Sequence, residues 1–385
     1  MAQLLLGGYT ADMDGAASGI GMLLAGDRDS ESAYGALGFA GTVVEASSPS
    51  WVARHPTLDV VYAALEGRGA VQAFQQVDEQ RFAPLGAPVA AGELACHVAV
   101  APDAASLLVS CWGDGRVLRV ELGADGFLGT AEALPAAEDP WDLDARATAA
   151  SASEELAALL AQGRMFSRNP LEVDDEGDEE DEAEAASGRT SRAHQARFLP
   201  DGWLATTDMG FDLVRMWRTD AGVPRLRDKI VLPQGSGPRH MVWHPSGHLY
   251  VITELSQEVF VLGLGADGRW SIVGSVHLGA GILEDDTAAE IALSRDAEFV
   301  YAGLRGSNTL SVLRVRGDGS ELDATALVEA GVDWPRHHLV IRDTLLVAGQ
   351  RSDEVASLTL DSRTGVPGRA LHRTPAPAPT CLVSL

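Results

Sequence analysis

The sequence predicts an all-β fold, a seven-bladed β-propeller of four-stranded antiparallel blades that spans residues 1–385 as a single domain. Three observations carry this expectation: a two-strand unit with a tight turn occurs six times, a third apolar strand follows each copy, and the two ends of the chain supply the pieces of a seventh. The unit is clearest in GSGPRHMVWHPSGHLYVITEL, residues 235–255, where HMVWHP and LYVITEL flank a turn at SGH. It recurs as SWVARHPTLDVVYAALEG from Ser50, CHVAVAPDAASLLVSCWG from Cys96, HQARFLPDGWLATTDMG from His194, EIALSRDAEFVYAGLRG from Glu290 and RHHLVIRDTLLVAGQR from Arg336. The third strands read AVQAF, RVLRVEL, LVRMW, EVFVLGL, TLSVLRV and EVASLTL. Equivalent positions lie roughly 45 to 50 residues apart, within the spacing of propeller blades, about 40 to 50.

The interval between the copies at Cys96 and His194 is about twice the others, which marks residues 138–190 as an insertion. It holds a helix-like stretch, DLDARATAASASEELAALLAQG, and the run DDEGDEEDEAE from Asp174 to Glu184, nine carboxylates with no base. Such a run repels itself and has little to bury, so a solvated, disordered loop is favoured over a docking site. At the ends, APTCLVSL matches the first strand of the unit, AQLLLGGYT the second and GIGMLLA the third. A seventh blade built from both ends closes the ring as a clasp.

Composition bounds the function. No apolar run approaches the roughly 18 residues that span a bilayer. The start, MAQLLLGGYT, lacks the basic and cleavable parts of a secretory signal, which points to the cytoplasm. A net charge of −26 argues against nucleic acid and anionic membranes as partners. Cys96, Cys111 and Cys381 form no CxxC pair and suit reduced thiols better than a disulfide framework. Cys96 and Cys111, on neighbouring strands, read as small buried thiols. No P-loop, GxSxG elbow or dinucleotide fingerprint occurs, so no cofactor is expected. Nothing in the sequence sets an oligomeric state.

The candidate site follows from blade geometry. In an antiparallel meander the start of the innermost strand and the end of the next lie at one rim. Arg239 and His240 start one strand and Glu254 ends its neighbour, so all three belong at one mouth of the central channel. The same logic brings Trp51 there with Glu66, His97 with Trp112, His194 with Asp208, Glu290 with Arg305, and Arg336 and His337 with Gln350. Cys381 and Tyr9 fill that place in the clasp. Charged groups are almost never fully buried unless paired, so a plain core would not select these residues. Arg239, Arg305 and Arg336 beside carboxylates and histidines suit a small anionic ligand. The competing reading is inter-blade ion pairing, Glu290 with Arg305 or Glu254 with Arg239. His55 and His244, before a proline or turn, are expected as turn residues on the opposite face. His97, His194 and His240 have no HxH or HExxH spacing, and the arginines oppose a cation, so no metal is expected.

These residues carry a resemblance. LLLGGYT, GPRHMVWHPSGHLYVITEL, AEIALSRDAEFVYAGLRGSN, WPRHHLVIRDTLLVAGQRSDEV and PTCLVSL resemble the seven-bladed lactonase propellers, which include a bacterial 6-phosphogluconolactonase and fungal carboxymuconate cyclases. The resemblance covers nearly the whole chain. It implies a catalytic set of His194, Arg239, Glu254 and Arg305, with His97, His240, Glu290, Arg336, His337 and Gln350 around them to bind substrate. Where the family has a His- and Gly-containing loop and an HxH element, SRAHQARF keeps one histidine. The implied activity is carboxylic-ester hydrolysis of a small anionic sugar lactone, 6-phosphogluconolactone first, in the pentose phosphate pathway. The arginines would polarise the ring carbonyl, and Glu254 or His194 would take a proton from water. The alternatives are a carboxymuconate cyclase or isomerase of aromatic-acid catabolism and a non-catalytic metabolite binder.

Overall fold

The computed structural model describes residues 3–26, 36–142, 188–220 and 222–385. Within them the strands form seven sheets of four, all antiparallel. Blades 1 to 6 occupy residues 49–90, 95–133, 193–231, 238–277, 287–329 and 335–375. The seventh is the clasp, in which Pro379–Ser384 pairs antiparallel with Gln3–Gly8, followed by Gly19–Leu24 and Gly38–Glu45. The helix-like stretch and acidic run expected within 138–190 fall almost wholly on 143–187, outside the described residues. No helix among the described residues is long and apolar enough to cross a membrane.

Why these segments become blades is visible in their burial. Second strands such as Val60–Leu65, Ser106–Cys111 and Thr344–Gly349 are buried at every position, as their nearly continuous apolar composition requires of a strand covered on both faces. Outer strands alternate instead; in Val223–Val231 the inward residues Pro224, Asp228 and Ile230 are buried between exposed neighbours. Apolar clusters fill the seven gaps between adjacent blades. In the gap closed by the clasp, Leu4, Leu6, Leu23 and Leu382 pack against Leu346, Ala348 and Val355 of blade 6.

One irregularity repeats around the ring. Each blade's inner pairing breaks register at the same end, between Pro49 and Trp51, Ala95 and His97, Ala193 and Ala196, Pro238 and Met241, Ala288 and Ile291, and Pro335 and His337. The clasp breaks between Gly7 and Gly8, opposite Thr380. A bulge re-aims side chains and bends the strand. The residues so released are Ser50, Cys96, His194 and Gln195, Arg239 and His240, Ala289 and Glu290, Arg336, and Thr380. They are the start of the channel wall.

Candidate active site

The mouth carries its charges in two groups. On one side Glu254, at the end of the second strand of blade 4, takes two guanidinium groups on the same oxygen. Arg239 Nε lies 2.9 Å and Arg305 Nη2 2.8 Å from Oε2. Oε1 is left for another partner, and the carboxylate is the most exposed member, at 18%. The two arginines are held from behind by backbone: Arg239 Nη1 donates to Ala289 O at 2.7 Å and Arg305 Nη2 to Ala288 O at 3.2 Å. Burial, the neighbouring Arg305 charge and Arg336 push the Arg239 guanidinium down to about 10, against the pull of Glu254. Burial likewise lowers Arg305, partly offset by Glu254.

On the other side Arg336 Nη2 donates to the Tyr9 hydroxyl at 2.6 Å, and Nη1 makes a long 3.5 Å bond to Gln350 Oε1. The Tyr9 hydroxyl in turn donates to Glu66 Oε2 at 3.0 Å. Burial opposes the charge on Arg336, yet Tyr9, Glu66 and Glu254 together raise its pKa above the ordinary arginine value.

Below these groups lies a narrow void bordered by Ser50, Trp51, Cys96, His194, Arg239, His240, Arg336 and Thr380, with room for about one water molecule. Its lining is short of partners. Among the described residues nine buried side-chain polar atoms lack a hydrogen bond, and Ser50 Oγ, His97 Nδ1, His194 Nδ1 and Arg239 Nε, four of them, gather at this level. The Arg239 Nε–H therefore approaches Glu254 as a charge contact without aiming at it. Buried polar groups are ordinarily satisfied, and a concentration of exceptions marks a place where water or ligand completes the set.

The floor is aromatic and imidazole. The Trp51 ring centroid sits 4.4 Å from His97, 5.2 Å from His240 and 5.3 Å from His337, and His194 lies 4.9 Å from His240. Burial, reinforced by Arg239 and neighbouring imidazoles, holds His97, His194 and His240 well below the usual histidine pKa and His337 at about 4. They are neutral. Glu290 Oε2 meets His240 Nδ1 at 2.9 Å and lies 3.2 Å from His337 Nε2, while Oε1 accepts from Ile291 N. The acceptor left at His337 Nδ1 takes Leu382 N at 3.3 Å, which ties the clasp to the floor. Among the described residues no group of three or more His, Cys, Asp or Glu is placed to hold a metal ion.

The ten residues implied for catalysis and substrate binding lie in this channel or its wall, but several partners at the rim differ from expectation. Glu290 makes no ion pair with Arg305; it serves His240 and His337, and Arg305 goes to Glu254. Asp208 does not meet His194. It accepts the backbone N–H groups of Arg192, Gly210 and Phe211 and so closes its own turn. Trp112 is 37% exposed with the Arg192 guanidinium over its ring, and Glu66 meets Tyr9 rather than Trp51. His55 and His244 stand at the opposite face in turns, as expected, and all three cysteines are buried and unpaired. Tyr9 and Glu66, expected at this rim, do lie there, though paired with each other; Ser50, which only opened a repeat in the sequence, enters the site unforeseen.

The description "Lactonase, 7-bladed beta-propeller" belongs to the family profile that matches residues 3–384. The chain belongs to this family. Curated relatives resemble it at low identity. An uncharacterized protein of Lactococcus lactis subsp. cremoris is 24% identical over 393 residues, covering 100% of this chain and 99% of its own. Other curated relatives match over less of their length, as with 59% for an uncharacterized protein of Lactococcus lactis subsp. lactis. Two solved structures cover 100% of this chain and 99% of their own. The periplasmic gluconolactonase of Pseudomonas aeruginosa has a TM-score of 0.77 at 21% identity. A candidate 6-phosphogluconolactonase of Bacteroides uniformis has a TM-score of 0.77 at 19%. At such identities the likeness is one of fold.

Proposed function

We propose that this chain hydrolyses a sugar lactone that carries an anionic group, with 6-phosphogluconolactone as the first substrate to test. The observation that supports it best is Glu254, one oxygen within ion-pairing distance of both Arg239 and Arg305 and the carboxylate 18% exposed. A lactone carbonyl between these groups meets what ester hydrolysis requires. Water adds its oxygen to the carbonyl carbon while Glu254 Oε1 takes the water proton, a role typically contributing about 10²- to 10⁴-fold. The electron pair displaced onto the carbonyl oxygen is stabilised by the guanidinium donors, a contribution that is usually the largest single one. The ring C–O bond then breaks, the ring oxygen takes the proton held on Glu254, which restores the carboxylate, and the open-chain hydroxy acid leaves.

Glu254 suits the base better than His194. Burial and Arg239 both oppose a positive imidazole at His194, so accepting a proton there is costly. His194, with no hydrogen bond to its Nδ1, is instead a donor or acceptor waiting for substrate or water. Such lactones open unaided, so the assay must resolve acceleration above that background. The test is turnover by the purified protein of 6-phosphogluconolactone, of neutral gluconolactone and of a carboxymuconate. Lactone opening above background supports the reading. Muconate cyclisation alone, or binding with no turnover of any of them, would overturn it.

A further inference from the structure

The three arginines of the mouth are not equivalent. Arg239 and Arg305 are neutralised by one carboxylate, Glu254. Among the described residues Arg336 has no carboxylate within ion-pairing distance; its nearest negative charge, Glu66, is reached only through the Tyr9 hydroxyl. Its one short bond is to Tyr9, whose ring also lies 5.0 Å beneath the guanidinium, and the other, to Gln350, is 3.5 Å long. Arg336 also borders the void shared with Arg239, so its charge faces the site.

We infer that Arg336, set by Tyr9 and tempered by Glu66, is a separate subsite for the anionic group of the substrate, while the Arg239–Glu254–Arg305 cluster handles the carbonyl. This assignment rests on the lactonase reading for its substrate, but the subsite itself is a statement about phosphate or carboxylate oxygens. A guanidinium fork takes two such oxygens at once, and the long bond to Gln350 is the contact an arriving anion replaces. Tyr9 is a positioning residue: it donates to Glu66, accepts from Arg336 and supplies the ring on which the guanidinium rests. Because Tyr9 follows the first strand of the clasp and Glu66 the second strand of blade 1, the subsite spans three blades and exists only in the closed ring.

Glu66 gives the inference a sign that damage to the fold would not reproduce. Its carboxylate offsets the charge of Arg336 and repels an incoming anion. Glu66→Gln keeps an acceptor for the Tyr9 hydroxyl and removes the charge. Binding of inorganic phosphate, followed by calorimetry or as a thermal shift, should strengthen several-fold in Glu66→Gln and weaken about tenfold in Arg336→Lys, which loses the fork. In kinetics, the preference for phosphorylated over neutral gluconolactone, as a ratio of kcat/KM, should fall about tenfold in Arg336→Lys. Tyr9→Phe should raise KM for the phosphorylated substrate more than it lowers kcat. A lactone bearing a carboxylate in place of phosphate, run in parallel, shows which anion the fork reads. Weaker phosphate binding in Glu66→Gln, or an unchanged preference in folded Arg336→Lys, would overturn the subsite. If no lactone is opened by the parent protein, the lactonase reading falls, and the phosphate arm still decides the subsite.

Discussion

At the turn end of the inner strands, His55 Nδ1 accepts the backbone N–H groups of Thr57 and Leu58 at 3.1 and 2.9 Å. His244 there bonds Ser246 Oγ through Nδ1 and Ala297 O through Nε2. At the mouth end of equivalent strands, His97 and His194 are as deeply buried, at 4% and 7%, yet neither Nδ1 has a partner. The same residue type in the same repeat is thus satisfied at one end and, at His97 and His194, left wanting at the other. A buried polar atom without a bond costs stability, whereas one that completes a turn contributes to it. The turn histidines are accounted for by folding alone, and so are His240 and His337, held by Glu290 and Leu382; His97 and His194 are the two that our proposal assigns to water or ligand.

Opening the ring should have the largest effect, because it removes both ends of the comparison together. Residues 380–385 contribute Thr380, Cys381 and Leu382, all buried, and their loss bares the edge of Gln3–Gly8. The truncated chain is expected to aggregate or to melt far below the parent. A truncation as soluble and heat-stable as the parent would mean that the clasp does not hold the ring.

Exchanging one histidine at each end separates the two roles. His194→Ala should cut kcat/KM by about a hundredfold with little change in Tm, since its ring has no hydrogen bond at Nδ1 to lose. His244→Ala should leave kinetics near those of the parent and cost about 1–3 kcal/mol in denaturant unfolding, through its lost bonds and its stacking on Tyr250. The reverse pattern would assign the chemistry to the wrong face.

The mouth histidines also give stability a pH dependence. Their folded pKa values lie below the unfolded value of about 6.5, so below that pH the unfolded chain binds protons that the folded one refuses. Stability is fully present above about 6.5. It is lost as pH falls, through about 4 for His337 and further for His97, His194 and His240. Each contributes a slope of up to about 1.4 kcal/mol per pH unit in that window. Urea unfolding at a series of pH values should show it, flattened by one histidine's share in His337→Gln. Stability unchanged between pH 7 and 5 would mean that the imidazoles charge inside the fold.

A smaller effect is expected from Arg239→Lys. The charge opposite Glu254 survives but the planar fork does not, so KM should rise by about tenfold while Tm moves little. A change confined to stability would reduce the Arg239–Glu254 contact to an inter-blade brace.

The ring and the rim at which chemistry gathers were legible in the sequence because each is written locally, and the clasp because both ends of the chain match strands of the repeat. Strand periodicity, turn residues and the ends of adjacent strands lie within some 20 residues of one another, as Arg239 and Glu254 do. The partnerships were not legible. Tyr9 and Glu66 are 57 residues apart and Arg336 and Tyr9 are 327 apart, brought together only by closure of the ring. Glu290 was expected beside Arg305 because one blade contains both, but the bulge between Ala288 and Ile291 turns its carboxylate toward His240 and His337 of the flanking blades. Asp208 failed for a different reason: an aspartate at a strand end satisfies the turn that follows it, a local demand stronger than the pull of the channel.

The most direct test of the account is the kcat of Glu254→Gln on 6-phosphogluconolactone, measured beside the parent with the melting temperature of both. The replacement preserves shape and one acceptor for Arg239 and Arg305 and removes the base. The account predicts that kcat falls by about 10²-fold or more in a folded protein that still binds the substrate. Full turnover in a destabilised protein would contradict it and leave Glu254 as an ion pair between blades.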